Sequence, residues 1–217
     1  MTSRVPCRPQ SRAVRQQRKQ NMSQSIEFFF DFRSPYSYLA YSQLPALGAE
    51  IVLRPMNVIS VMKIVGNTPT TVTCKAKGVY ANADLARWAK KYGLPMKPAN
   101  IRSVDGEACL RALLAAASAD AAVATTKALF NACWGTGRTL TSSGEVVEYL
   151  AEVGVDTKGL ADRIDGQAAI DALEANCKEA AERGVFGAPT IMIGDVMFFG
   201  NDRLDFVREH LTAARAA

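Results

Sequence analysis

Apolar residues run from Ile26 to Phe32, interrupted only by Glu27 and Asp31; this is the pattern of a strand covered on both faces and predicts β structure over 26–32. The strand leads into Ser34-Pro35. Proline at a first helical position has its φ already set and no N–H to lose, so a helix is predicted over 35–47 with Ser34 as its N-cap. A second apolar run within 50–55, Ile51-Val52-Leu53, predicts another strand, and a connection through one helix makes the two strands parallel neighbours. From 58 to 184 the apolar spacing turns helical, clearest over 80–92, 106–119, 121–134, 145–153 and 168–183, much of it alanine-rich. Strand character returns over 190–193 and 196–199 around the two-residue turn Gly194-Asp195, which predicts a hairpin, and a final helix is predicted over 202–213.

Strand, helix, strand, a long helical stretch, hairpin and helix is the chain order of a DsbA-type, thioredoxin-like α/β fold with a large all-helical insertion domain. On this reading 23–57 and 185–217 form the thioredoxin-like domain, 58–184 form the helical insertion, and 1–22 are a basic, disordered extension. Pro189 fits the same order. It follows Ala188 just before the third strand, where thioredoxin-like folds resemble one another in carrying a cis-proline, and the extended backbone at Ala188 can offer its groups to a peptide-like ligand. An ordinary trans proline at a strand start is the alternative.

Composition narrows the function classes. The 217 residues, 48% apolar, suffice for one good core, and no apolar run approaches membrane-spanning length, so no membrane partner is expected. The net charge of +5 suggests nucleic acid until its distribution is read: six of the 26 basic residues, Arg4, Arg8, Arg12, Arg15, Arg18 and Lys19, precede Met22 with no acid among them. The remainder carries 20 basic against 21 acidic residues, so no nucleic-acid partner is expected. Met22 stands where a start codon would suit the first strand, which reads the extension as a translation-start artefact or a dispensable tail; a transit peptide is the weaker alternative, and an apolar secretory segment is lacking.

Cys7, Cys74, Cys109, Cys133 and Cys177 are odd in number and widely spaced, without a C-x-x-C, so they read as reduced cytosolic thiols rather than a disulfide framework or a zinc site. The single histidine, His210, falls in the last helix and is expected to be solvated; neither a Ser-His-Asp triad nor a histidine-built metal centre is expected.

Candidate chemistry then gathers at helix starts. The amides of the first turn and the positive end of the helix dipole favour an anion at Ser34, whose hydroxyl could donate to a bound thiolate; plain capping explains the residue equally well. Gly200-Asn201-Asp202-Arg203 opens the last helix, where Asn201 or Asp202 caps it. With a γ-glutamyl ligand, the same amides would accept its carboxylate and Asp202 its ammonium group.

The ordered motifs F-x-F-D-F-x-S-P-Y-S-Y-L at 28–39, I-V-G-N at 64–67, D-L-A-R-W-A at 84–89, F-N-A-C-W-G at 130–135, V-F-G-A-P-T at 185–190 and F-F-G-N-D-R-L at 198–204 resemble the 2-hydroxychromene-2-carboxylate isomerase family, related to kappa-class glutathione transferases. The resemblance, from about Ser25 to the C-terminus, implies a cytoplasmic homodimer that uses glutathione to interconvert 2-hydroxychromene-2-carboxylate and trans-o-hydroxybenzylidenepyruvate in naphthalene-type aromatic catabolism. It implies Ser34 as the catalytic residue, Lys63 at the substrate, and glutathione contacts at Ser34, Asn67, Ala188, Pro189, Phe199, Gly200, Asn201 and Asp202. Taken alone, Lys63 reads as a solvated lysine and Asn67 as a turn residue. Arg87 and Trp88 read as helix packing. The glutathione half matches better than the substrate half: Val72-Thr73 stands where family members carry Asn-Arg, and Ile101 where a tyrosine would meet substrate. A kappa-like transferase or peroxidase and a noncatalytic glutathione-binding protein are the alternatives; dithiol chemistry is disfavoured, because Ser34 and Ser37 occupy the two positions that need cysteine.

Overall fold

The computed structural model describes residues 25–216, so the expected basic extension lies outside the described residues. Its sheet orders the strands β2-β1-β3-β4. β1 (Ser25–Phe30) is flanked by β2 (Glu50–Pro55), parallel, and β3 (Thr190–Ile193), antiparallel; β3 turns back through Gly194 and Asp195 into β4 (Val196–Phe199). β1 is thus a central strand, with Phe28 paired between Leu53 and Ile191, and Phe28, Phe29 and Phe30 are all fully buried, as successive apolar residues on a strand covered on both faces should be.

β1 stops two residues before the predicted end. Met56 N–H donates to Phe30 O at 2.9 Å as the last link to the neighbouring segment, and then Ser34 N–H closes on Asp31 O at 3.0 Å, turning the chain. The first helix, α1 (Pro35–Gln43), is also shorter than predicted. Pro45 has no N–H and its ring would meet the carbonyl four residues back, so Leu44–Leu47 continue as a 3₁₀ turn closed by Gly48 at φ +62°.

The helical stretch comprises α2 (Val58–Ile64), α3 (Thr70–Thr73), α4 (Lys75–Tyr92), α5 (Gly106–Leu114), α6 (Ala119–Phe130), α7 (Ser143–Glu152), α8 (Leu160–Ile164) and α9 (Gln167–Glu182); α10 (Leu204–Ala216) closes the chain after a 3₁₀ turn at Asn201–Arg203. The stretch predicted as a helix over 106–119 ends early because Ser118 starts α6, its hydroxyl accepting from Ala121 N–H at 3.1 Å. The end of the helix predicted over 121–134 is instead a π-type turn, Asn131–Thr136. Gly135 permits that turn, since a Cβ there would fall 2.2 Å from Asn131 Oδ1.

Helices and sheet share one core. Phe28, Phe29, Phe30, Phe32 and Phe130 are fully or almost fully buried, and the Phe130 ring of α6 lies 5.4 Å from Phe30 and 4.9 Å from Phe32. Trp134 Nε1 donates to Phe32 O at 2.8 Å, so the π-type turn holds the backbone two residues before Ser34. His210, expected to be solvated, is instead half-buried, its ring edge-on to Phe198 at 5.7 Å. No helix among the described residues is long and apolar enough to cross a membrane.

Candidate functional site at the β1–α1 junction

Ser34 has extended backbone angles, φ −90° and ψ 113°, and its Oγ accepts from Ser37 N–H at 3.2 Å, an N-cap with Pro35 opening the helix behind it. The same hydroxyl donates to Ala188 O at 3.2 Å, long for an O–H···O bond and therefore cheap to exchange for a better acceptor. Tyr36 N–H, in the same turn, has no acceptor among the described residues. The Ala188–Pro189 bond is cis. Gly200 N–H reaches Pro189 O at 3.0 Å from a φ of +99°, a backbone state that suits glycine.

The structure brings most of the expected residues to this one end of the sheet. Asn67, just past α2, donates its Nδ2 to Phe186 O at 2.7 Å, tying its loop to the segment that ends in Ala188 and Pro189. Phe199 packs on Phe186, the rings tilted by 45° with centroids 4.6 Å apart. Asn201 is only 3% exposed, yet its Nδ2 has no partner among the described residues, as is true of the buried Ser37 Oγ on α1, the helix against which the 201–203 turn packs. Asp202 is exposed and paired with Arg203. Lys63 is exposed in the last turn of α2, with no side-chain partner among the described residues. Arg87 lies over the Tyr80 ring and Trp88 packs on Tyr92, which leaves both in helix packing.

A buried polar network, which sequence reasoning missed, supports the junction. The Asp31 carboxylate, fully buried, accepts from Arg33 N–H at 2.9 Å, from the Arg33 guanidinium at 2.8 and 3.1 Å, and from Val58 N–H, the first residue of α2, at 3.0 Å. Arg33 continues to Asn57 Oδ1 at 3.1 Å, and Asn57 caps α2 through Ile59 and Ser60 N–H while giving its Nδ2 to Glu107 at 2.8 Å. One carboxylate thus ties the turn before Ser34 to the helix that carries Lys63 and leads to Asn67. Burial by itself would lower the Arg33 guanidinium, but Asp31 beside it reverses the sign and raises it. The legible signal was an acid between two phenylalanines in an apolar run; Asn57 and Glu107 gave none beyond ordinary capping.

Arg33 occupies the space beside Gly106: a Cβ there would lie 2.2 Å from Arg33 Nε. Gly106→Ala is therefore expected to cost about 1–3 kcal/mol in urea unfolding, despite the better helix former, because the guanidinium cannot move without leaving Asp31.

Three of the described thiols, Cys109, Cys133 and Cys177, are buried and held from reacting, whereas Cys74 is exposed. Burial pushes Cys133 up to about 12 and Cys109 well above its usual range; Cys177, also raised by burial, receives Asn57 N–H at 3.3 Å. Tyr36 is raised to about 12, by burial first and then by Asp84, to which its hydroxyl donates at 3.2 Å. A phenol with a raised folded pKa contributes stability that is full below its ordinary pKa of 10.0 and is lost as pH climbs to about 12. Tyr36→Phe is expected to flatten part of that alkaline loss, read as urea midpoints across the window.

Strand order, the serine-capped junction and the cis-proline segment beside it define a thioredoxin-fold protein of the DsbA-like class, and the DSBA-like thioredoxin domain model matches residues 25–212. The 2-hydroxychromene-2-carboxylate isomerase of Sphingobium xenophagum is 35% identical over 196 residues, 88% of this chain and 99% of that protein. A solved structure of a 2-hydroxychromene-2-carboxylate isomerase superposes with a TM-score of 0.78 at 31% identity, covering 87% of this chain and 95% of that one. The glutathione S-transferase kappa 1 of Caenorhabditis elegans is more distant, 26% identical over 204 residues, 86% of this chain and 90% of that protein. Within the DsbA-like class, the chain belongs to the 2-hydroxychromene-2-carboxylate isomerase family.

Proposed function

We propose that this protein is a glutathione-dependent isomerase that interconverts 2-hydroxychromene-2-carboxylate and trans-o-hydroxybenzylidenepyruvate. The observation that carries the reading is the Ser34 hydroxyl, held at a helix N-terminus by the 3.2 Å contact to Ala188 O and able to turn to an anion. Family membership supplies the reaction class.

The residues present fit glutathione on three counts. Asn201 offers a buried carboxamide nitrogen without a partner among the described residues, beside the start of α10. The Ala188 and Tyr36 amides are donors without acceptors among the described residues, one in the segment that Ser34 contacts and one in the turn that Ser34 caps. Asn67 and Phe199 flank the segment that presents Ala188 and Pro189. An unpaired buried amide is costly, which favours a polar ligand at that position.

Bound glutathione would supply a thiolate that adds reversibly to the conjugated double bond and leaves after rotation about the resulting single bond. Ser34 then acts as hydrogen-bond donor to that sulfur, aided by the Tyr36 amide and the α1 dipole, which lower a thiol from its ordinary value of about 8.5. Ser34 is not positioned as a nucleophile, because its hydroxyl is bonded to Ala188 O and Ser37 N–H and, among the described residues, no base is bonded to it to take its proton. Lys63 would steady the enolate charge that develops as the thiolate adds, from a helix whose start is anchored on Asp31. Asp202 would receive the γ-glutamyl ammonium in exchange for Arg203. The same reading carries a cytoplasmic homodimer working in naphthalene-type aromatic catabolism.

The test is absorbance-monitored conversion of 2-hydroxychromene-2-carboxylate with and without glutathione. Fast interconversion that requires glutathione supports the reading; no conversion despite measured glutathione binding defeats it. A kappa-like transferase is the second reading, favoured by the better match of the glutathione half, and accumulating conjugate would select it.

A further inference from the structure

One face of α4 carries Lys77, Tyr80, Ala81 and Asp84 at helical spacing, and its Asp84 meets Tyr36 of α1. Between that face, Thr71 of α3 and Tyr36 of α1 lies a cavity of about 450 Å³, lined also by Ala76. That is within the range of small-molecule sites, roughly 300–1,000 Å³. Ala76 and Ala81 leave the room, while Tyr36 and Tyr80 supply aromatic surface. The Tyr36 hydroxyl is tied to Asp84 at 3.2 Å, which makes its ring a fixed wall in the first turn after Ser34. Tyr80 is 64% exposed, so the mouth stays open to solvent.

Lys77 is the one charged residue in this lining. Its ammonium donates to Thr70 Oγ1 at 3.3 Å and has no carboxylate partner among the described residues. A mostly apolar, partly aromatic cavity with one unneutralised cation suits a flat aromatic acid: the ring loses water to the walls, and the carboxylate meets a point charge.

We infer that this cavity receives the aromatic body of an unsaturated carboxylic acid, with Lys77 holding its carboxylate; the assignment of that ligand as the substrate rests on the thiolate reading of Ser34. A molecule anchored there lies beside the first turn of α1, because Tyr36 belongs to both. Lys77 is on this view a specificity residue, distinct from Lys63.

The probe is 3-phenylpropanoate, a saturated aromatic acid that cannot accept a thiolate, titrated by calorimetry into the full chain alongside the neutral 3-phenylpropan-1-ol. The wild type is expected to bind the acid, and Lys77→Gln to weaken it about fivefold, the upper range for an exposed charge pair, while leaving the alcohol unchanged. Ala76→Phe, which fills the lining, is expected to weaken both. Glutathione affinity, unchanged in the two variants, controls for folding. No binding of the acid to the wild type, a change below twofold in Lys77→Gln, or equal weakening of acid and alcohol in that variant overturns the inference. The isomerase reading fails separately: acid binding with these preferences but no turnover of 2-hydroxychromene-2-carboxylate sinks that reading and leaves the cavity, whereas glutathione-dependent turnover whose KM neither substitution moves sinks the cavity and leaves the reading.

Discussion

Ser34→Ala is expected to slow glutathione-dependent turnover about 10- to 100-fold and to raise the pKa of bound glutathione by about one to two units, because a hydrogen bond to a charged sulfur contributes roughly 1.5–3 kcal/mol. Two effects of the hydroxyl must be separated. It also caps α1 through Ser37 N–H, so the same substitution removes about 1 kcal/mol of stability. Ser34→Asp keeps a capping oxygen and restores that stability, yet places a negative charge beside the sulfur; it is expected to fold as well as the wild type and turn over no faster than Ser34→Ala. Thiolate absorbance titrated against pH reads the effect directly. An unchanged pKa in Ser34→Ala would remove Ser34 from its role, whatever the rate did.

Asp31→Ala carries the largest expected loss of stability, about 3–5 kcal/mol in urea unfolding, because it leaves the Arg33 guanidinium and Val58 N–H without their buried acceptor. Removing the whole pair is less severe. Asp31→Leu combined with Arg33→Met is expected to recover much of the loss, since burying two charges is costly to begin with. Activity should not recover in step, because the apolar pair no longer holds Val58 and Asn57 and so releases the helix that carries Lys63. A double variant that regained both stability and turnover would show the network to be packing alone.

Much of the sheet was legible. The apolar run at β1, the parallel partner at Glu50–Pro55 and the hairpin at Gly194-Asp195 follow from patterns local to the chain, and the structure has them in those places. Helix ends were less legible, for reasons visible afterwards. Pro45 and Ser118 were readable as breaks, but alanine-rich segments such as 115–121 favour helix on both sides of the break, so propensity masked it. The π-type turn at Asn131–Thr136 had no local signal, since it exists to deliver Trp134 to Phe32 O.

The candidate site divides along the same line. Chain order and the motifs around Ser34, Pro189 and Gly200 were enough to place a capped helix start beside a proline-led strand, because capping and turn chemistry act over two to four residues. Ser34 donating to a carbonyl 154 residues away, Asn67 reaching Phe186, and the Asn201 amide buried without a partner among the described residues could be read only in three dimensions. The Asp31 network shows why. A charge in an apolar run signals only that a partner must exist; which partner depends on how β1, α2 and α5 pack, and Gly106 matters only because Arg33 needs its space. Local sterics and hydrogen bonding wrote the elements into the chain, whereas the pairing of buried polar groups, settled by long-range packing, belongs to the folded molecule.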